Sequence, residues 1–85
     1  MNYAGGNQNF EREVVDLFIF RTNIDHQSQF TRVKKELQKL GTIQSCTIDL
    51  EDCDRVLRIK SENIPLERIV EKVVSHGFLC VELTD

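Results

Sequence analysis

The fold of this chain is decided by the stretch Val14-Val15-Asp16-Leu17-Phe18-Ile19-Phe20, which the loop Arg21–Gln27 joins to a helical run ending at Leu40. A stretch so rich in Val, Ile and Phe predicts a β-strand. Both of its alternating sets of side chains are apolar, which is typical of a strand in the middle of a sheet rather than at its edge. Loops that lead from a strand into a helix often bind ligands, so Arg21–Gln27 is the first place to look for a function.

Length and composition limit what the chain can be. Its 85 residues suit one small domain, and 40% apolar with 29% charged residues is ordinary for a globular protein. The net charge of −3 argues against a nucleic-acid binder. No apolar run approaches the roughly 20 residues of a membrane span, and the polar N-terminus lacks the pattern of a signal peptide. Three cysteines without framework spacing indicate a reducing compartment, so we expect a cytoplasmic protein.

The first half of the chain divides into a leader, a strand and a helix. Gly, Asn and Gln dominate residues 1–12, which predicts a flexible leader before a folded domain over residues 13–85. Asp25 is the expected N-cap of the first helix, with Ser28 as the competing cap, and Gly41 is expected to end it in a left-handed conformation. The helix has one apolar stripe with spacings of three and four, formed by Phe30, Val33, Leu37 and Leu40.

The second half of the chain divides into a hairpin, a helix and a last strand. Alternation over residues 43–50 and 55–60 predicts a hairpin with an acidic turn. Asn63 is the expected cap of a second helix that ends at Gly77, and residues 78–83 form the last strand. The apolar stripe of this helix is Leu66, Ile69, Val70 and Val73.

The order strand, helix, strand, strand, helix, strand predicts an α+β fold, the ferredoxin-like βαββαβ sandwich. Its antiparallel sheet has the strand order 4-1-3-2, with both helices on one face. Cys46 and Cys80 then lie at inward positions of opposite edge strands, roughly 14 Å apart at ~4.8 Å per strand. That distance is too long for a disulfide, so we expect two buried thiols.

The hydrophobic spacing of several segments resembles that of a heavy-metal-associated domain. Copper chaperones and the N-terminal modules of metal-pumping ATPases belong to that family. The resemblance covers about residues 14–83 and implies the same fold. The segments that carry it are Leu40-Gly41-Thr42-Ile43, the strand with Cys46, Ile48 and Leu50, and the stretch Ile69-Val70-x-x-Val73-x-x-x-Gly77-Phe78.

The chemistry of that family lies in a Met-x-Cys-x-x-Cys loop, in which two thiolates hold a soft ion such as Cu(I). In this sequence Ile24 takes the place of the Met, His26 falls where the first Cys would be, and Gln29 falls near the second. A neutral imidazole and an amide cannot replace two thiolates for Cu(I). The resemblance therefore implies the fold without the metal-carrier function. The stretch 49–59 also resembles small bacterial proteins with a degenerate form of this fold, which implies no activity.

His26 and Cys53 are the metal-ligand candidates that remain. His26 lies at the mouth of the strand-helix loop, and an atypical metal carrier would use it. Cys53 lies in the acidic hairpin turn, where neighbouring carboxylates disfavour a reactive thiolate. The simpler interpretation is an exposed loop histidine and a solvated turn. We therefore expect no cofactor, and a weakly bound metal ion is the alternative.

The sheet face away from the helices is the predicted interaction surface. An apolar patch on so small a domain usually marks an interface. A slip of the first strand by one residue would exchange Leu17 and Ile19 for Phe18 and Phe20 and leave the patch apolar. No catalytic set is recognisable, so we expect a non-enzymatic binding module that acts through a protein partner or a homodimer. The predicted interface residues are Leu17, Ile19, Val56, Leu79 and Val81, with Leu83 possible beside them.

Overall fold

The computed structural model describes residues 15–84, so the predicted leader and both ends of the predicted domain lie outside the described residues. A short 3-10 turn, Gln38–Leu40, extends the first helix. The elements in chain order are β1 (Val15–Thr22), α1 (Gln27–Leu37), β2 (Thr42–Asp49), β3 (Val56–Glu62), α2 (Leu66–Ser75) and β4 (Cys80–Glu82).

The four strands form one antiparallel sheet in the order β2-β3-β1-β4, which confirms the ferredoxin-like topology. β1 is a central strand, as its two apolar faces predict. Phe18 stands opposite Ile59 and Phe20 opposite Leu57. Because Phe20, Leu57 and Ile59 are fully buried, this face of the sheet packs against the helices. Leu17 and Ile19 therefore point to the open sheet face, in the predicted register.

One hydrophobic core lies between the sheet and the two helices. The predicted stripe of α1 is buried at Phe30, Val33 and Leu37, and that of α2 at Ile69 and Val73. The remaining members of both stripes are half-buried at the rim of the core. Cys46 and Cys80 are buried and free of disulfides, as the strand positions predict. Along the described part of the chain, neither helix is long and apolar enough to cross a membrane.

The predicted cap of α1 is wrong, because His26 rather than Asp25 or Ser28 is the N-cap residue. The side chain of Gln29 provides the reason. Its Oε1 accepts the backbone N–H groups of Asp25 and His26, at 3.0 and 3.2 Å. The amide of the third helical residue thus closes the turn before the helix, which leaves Asp25 outside the helix and Ser28 inside its first turn.

The predicted cap of α2 is also wrong, because Pro65 occupies that position with extended backbone angles. Asn63 lies two residues earlier at φ 59°, a left-handed conformation that Asn tolerates better than most residues. Gly41 is not left-handed, since its φ is 157° and its ψ is −155°. The site is also tight, because a Cβ there would lie 3.1 Å from Cγ1 of Ile64, so a side chain would require Ile64 to shift. Gly77 ends α2 with φ 92°.

Candidate functional site

The loop after β1, the hairpin turn between β2 and β3, and the start of β4 meet at one end of the sheet. The backbone N–H of Thr22 donates to the carbonyl of Asp54 at 3.0 Å, and its hydroxyl donates to the carbonyl of Arg55 at 2.7 Å. On the other side, the backbone N–H of Leu79 donates to Oδ1 of Asn23 at 2.8 Å. Two segments, the hairpin turn and the start of β4, therefore fix the start of the loop in which the heavy-metal-associated family carries its thiolates.

The loop is held in shape by its own side chains, which pack into the core or bond to its backbone. Ile24, at the position of the family's Met, is fully buried in the core. Gln29, near the position of the second Cys, has its carbonyl oxygen occupied by two backbone N–H groups. His26, at the position of the first Cys, has a side chain that is 73% exposed, with Nε2 3.8 Å from Oδ1 of Asp25. Internal hydrogen bonds satisfy the backbone here, so the loop needs no ion to hold its shape.

Cys53 is exposed in the hairpin turn and lines a shallow cavity of about 240 Å³ together with Asp25 from the loop. Asp52, Cys53 and Asp54 place one ligand atom each within 4.8 Å of one another. Oδ1 of Asp52 accepts the backbone N–H of Asp54 at 2.8 Å. This local hydrogen bond accounts for the position of the Asp52 side chain within the turn without a metal. His26 is not part of the group, so the structure does not bring the two predicted metal ligands into one cluster of three or more.

These residues do not fit Cu(I), which requires soft thiolate ligands. The loop has no thiol, and Cys53 offers one among carboxylates. The other two thiols are unsuited, because burial raises the pKa of Cys46 to about 11 and that of Cys80 to about 11. Both therefore stay protonated near neutral pH, as core side chains rather than ligands.

The open sheet face, which is the side away from the helices, presents an apolar strip along β1 and β4. We define the strip as Leu17, Ile19, Leu79, Val81 and Leu83. Leu17 is 60% exposed, Leu79 41% and Val81 40%, whereas Ile19 is half-buried. The β1 and β4 parts of the strip are joined by a hydrogen bond of 2.8 Å, which the backbone N–H of Leu83 donates to the carbonyl of Ile19. The structure thus brings four of the predicted interface residues together.

Val56 differs from the other predicted interface residues. It lies on the open face, because it stands opposite Asp49 and alternates with the buried Leu57, but it is only 6% exposed. It is a short side chain in a central strand, with the longer Arg58 next to it on the same face. Val56 therefore offers little surface to a partner.

Two features of the open face were missed by the sequence reasoning. Val15 is 41% exposed and extends the apolar strip at the start of β1. A cation row, defined as Arg21, Arg58 and Lys60, runs beside the strip. Lys60 stands opposite Leu17, Arg58 opposite Ile19, and Arg21 opposite Val81. The alternation of Arg58 and Lys60 with buried Leu57 and Ile59 is the signal that could have revealed the row.

Similarity to known proteins is found in structure and not in sequence. No family model and no curated protein matches the chain. The Cu(I)-loaded first domain of the human copper chaperone for SOD1 is similar, with a TM-score of 0.66 and 20% identity over 81% of this chain and 93% of that one. The yeast copper transporter domain Ccc2a, solved in apo and Cu(I)-loaded states, gives 0.70 and 20% identity over 81% and 96%.

A third similar structure is the apo HMA domain of a copper chaperone for superoxide dismutase. Its TM-score is 0.68, with 20% identity over 99% of this chain and 79% of that one. Likeness at this level of identity concerns the path of the chain and not its chemistry. The chain therefore has the fold of a heavy-metal-associated (HMA) domain, as the hydrophobic spacing predicts.

Proposed function

We propose that this chain is a small non-enzymatic binding module that associates with protein through the apolar strip of its open sheet face. One observation carries the proposal: exposed Leu and Val side chains from β1 and β4 are contiguous on the face that no helix covers. Fully burying one such side chain is worth about 1.5–3 kcal/mol, so covering the strip provides a driving force for association. A cytoplasmic location belongs to the same proposal.

The end of the sheet supports this proposal indirectly. In the similar copper proteins the fold is associated with a metal, but here Gln29 and Ile24 fill the corresponding loop with a capping amide and a core side chain. A carrier that uses His26 is the alternative function. It has less support, because His26 is a single exposed imidazole and Asp52, Cys53 and Asp54 cluster without it. Association through the open face needs no such ligand set.

A photo-crosslinker placed in the full chain at Leu17 tests the proposal in the source cells. We expect a discrete protein adduct, either with another protein or with a second copy of the chain. The matched control is the same crosslinker at Val74, which is 52% exposed on α2 and faces away from the sheet. Equal labelling from both positions, or no adduct from Leu17, contradicts the proposal.

A further inference from the structure

The cation row is a second chemical feature of the open face. Arg21, Arg58 and Lys60 are all exposed, and each stands directly opposite a residue of the apolar strip. Within the described range 15–84, none of the three has a carboxylate oxygen within 4.0 Å. Among residues 15–84 the row therefore has no carboxylate partner, and the two central strands hold its cations in register.

The carboxylates of the same face are already engaged. Oδ1 of Asp49 accepts the backbone N–H of Glu51 at 3.1 Å, and Oε2 of Glu62 accepts Nε2 of Gln44 at 2.7 Å. Strand register places no other carboxylate of the described residues on the open-face positions of β1, β2 and β3. Counted over the described residues, this face thus has more cations than carboxylates, although the whole chain has a net charge of −3.

We infer that the cation row and the apolar strip together dock a segment of a different protein, one that has apolar side chains along one edge and carboxylates along the next. This inference rests on the proposed function and names the chemistry of the partner. Arg58 and Lys60 are two residues apart on one strand, which separates them by about 6–7 Å. Carboxylates three or four residues apart on a helix have Cβ atoms about 5–6 Å apart, so both can pair while the apolar strip is covered.

A second copy of this chain does not meet these requirements. It would offer a matching apolar strip, but its open face brings its own cation row and, within residues 15–84, only the engaged carboxylates Asp49 and Glu62. Nucleic acid fits less well, because the aromatic side chains among residues 15–84, Phe18, Phe20, Phe30 and Phe78, all pack toward the core and none can stack a base on the open face. An acidic amphipathic protein segment satisfies both the strip and the row.

Two synthetic helical peptides test the inference on the full ¹⁵N-labelled chain. The first has leucines at helical spacing with glutamates along one flank, and the second has lysine in place of each glutamate. We expect the acidic peptide to shift the amide resonances of β1, β3 and β4, and to bind less tightly as salt is added. Arg58→Glu with Lys60→Glu should weaken that binding by about tenfold or more, whereas the basic peptide should not bind the wild type.

The matched control is Arg32→Glu with Lys35→Glu, which makes the same change of charge at exposed positions of α1. This control should bind the acidic peptide like the wild type, and the spectrum of each variant checks its fold. Equal binding of the basic peptide, equal loss in the control, or preference for a single-stranded RNA titrated in parallel overturns the inference. A partner captured at Leu17 whose capture survives Arg58→Glu with Lys60→Glu also overturns it, and leaves the proposed function standing.

Discussion

Gln29 shows at the scale of a residue how this chain departs from the copper proteins that it resembles in fold. Its side-chain oxygen closes the turn before α1 by accepting two backbone N–H groups, at 3.0 and 3.2 Å. A loop that holds Cu(I) would instead need soft thiolate ligands at this place. The stability of this turn therefore depends on the Gln29 side-chain amide. The effect of removing that amide on the free energy of unfolding can be measured without any metal.

Gln29→Ala should lower the free energy of unfolding by about 1 kcal/mol, as the loss of a helix cap usually does. The measurement is a urea melt of the metal-free chain. Gln38→Ala is the control, because Gln38 is an exposed residue at the other end of α1 and should change the stability by less than about 0.5 kcal/mol. Equal effects of the two substitutions would show that the cap contributes nothing.

The chain should not bind Cu(I) tightly, because its loop has no thiol and Gln29 is already engaged. A competition titration against a Cu(I) chelator measures this directly. One tight ion per chain, lost in His26→Ala but kept in His76→Ala, would contradict the prediction and favour the carrier function. An ion lost instead in Cys53→Ser would identify the hairpin turn as the site.

At the scale of the elements, the sequence was a good guide to the faces of helices and strands and a poor guide to their ends. The stripes of α1 and α2 and the two faces of β1 follow from periodicity, because a buried position must be apolar at every turn or at every second residue. The caps were mispredicted because they depend on one side chain reaching one backbone group. Neither the reach of Gln29 nor the extended backbone of Pro65 follows from spacing.

Ile69→Ala should lower the free energy of unfolding by roughly 2–5 kcal/mol, because it removes most of a fully buried side chain from the core face of α2. Lys35→Ala, on the exposed side of α1, should change it by less than about 0.5 kcal/mol. Urea melts measure both. Similar costs for the two substitutions would mean that the helix faces are assigned wrongly.

An ion cluster joins the two helices and predicts a pH dependence. Nζ of Lys39 lies 2.9 Å from Oε2 of Glu36, and Nε2 of His76 lies 3.9 Å from Oε1 of the same carboxylate. The hydrogen bond from Lys39, with a smaller contribution from the charge of His76, holds the pKa of Glu36 below its usual value of 4.5. A carboxylate with a lowered pKa in the folded chain stabilises the fold above its unfolded pKa, and this contribution is lost as the pH falls through the folded value.

Glu36→Gln should therefore reduce the difference in unfolding free energy between pH 7 and pH 3. The wild type loses the ion cluster on acidification, whereas the variant has no carboxylate to protonate at that position. Urea melts of both proteins at the two pH values provide the comparison. The same acid sensitivity in the variant and the wild type would show that Glu36 does not contribute.

At the scale of the whole molecule, the two sides of the sheet differ in the surfaces that they present. The helix side contains the core, and the open side presents the apolar strip beside the cation row. The sequence predicted the strip, because β1 and β4 have apolar residues in both alternating sets. It could not predict that Val56 is only 6% exposed, because strand alternation gives the face on which a side chain lies and not its accessibility.

Leu17→Lys and Val56→Lys should therefore behave differently, although both residues lie on the open face. Leu17 is 60% exposed, so a lysine there keeps its ammonium group in water and should change the free energy of unfolding by less than about 0.5 kcal/mol. It should nevertheless weaken association, because it puts a charge at the β1 end of the apolar strip. Val56 is 6% exposed, so Val56→Lys must bury a charge or displace its neighbours and should cost more than about 2 kcal/mol.

Urea melts measure the stability of both variants, and sedimentation and crosslinking measure their association. An unfolded Leu17→Lys, or a fully stable Val56→Lys that loses its partner, would mean that the boundary between core and interface lies elsewhere on the sheet.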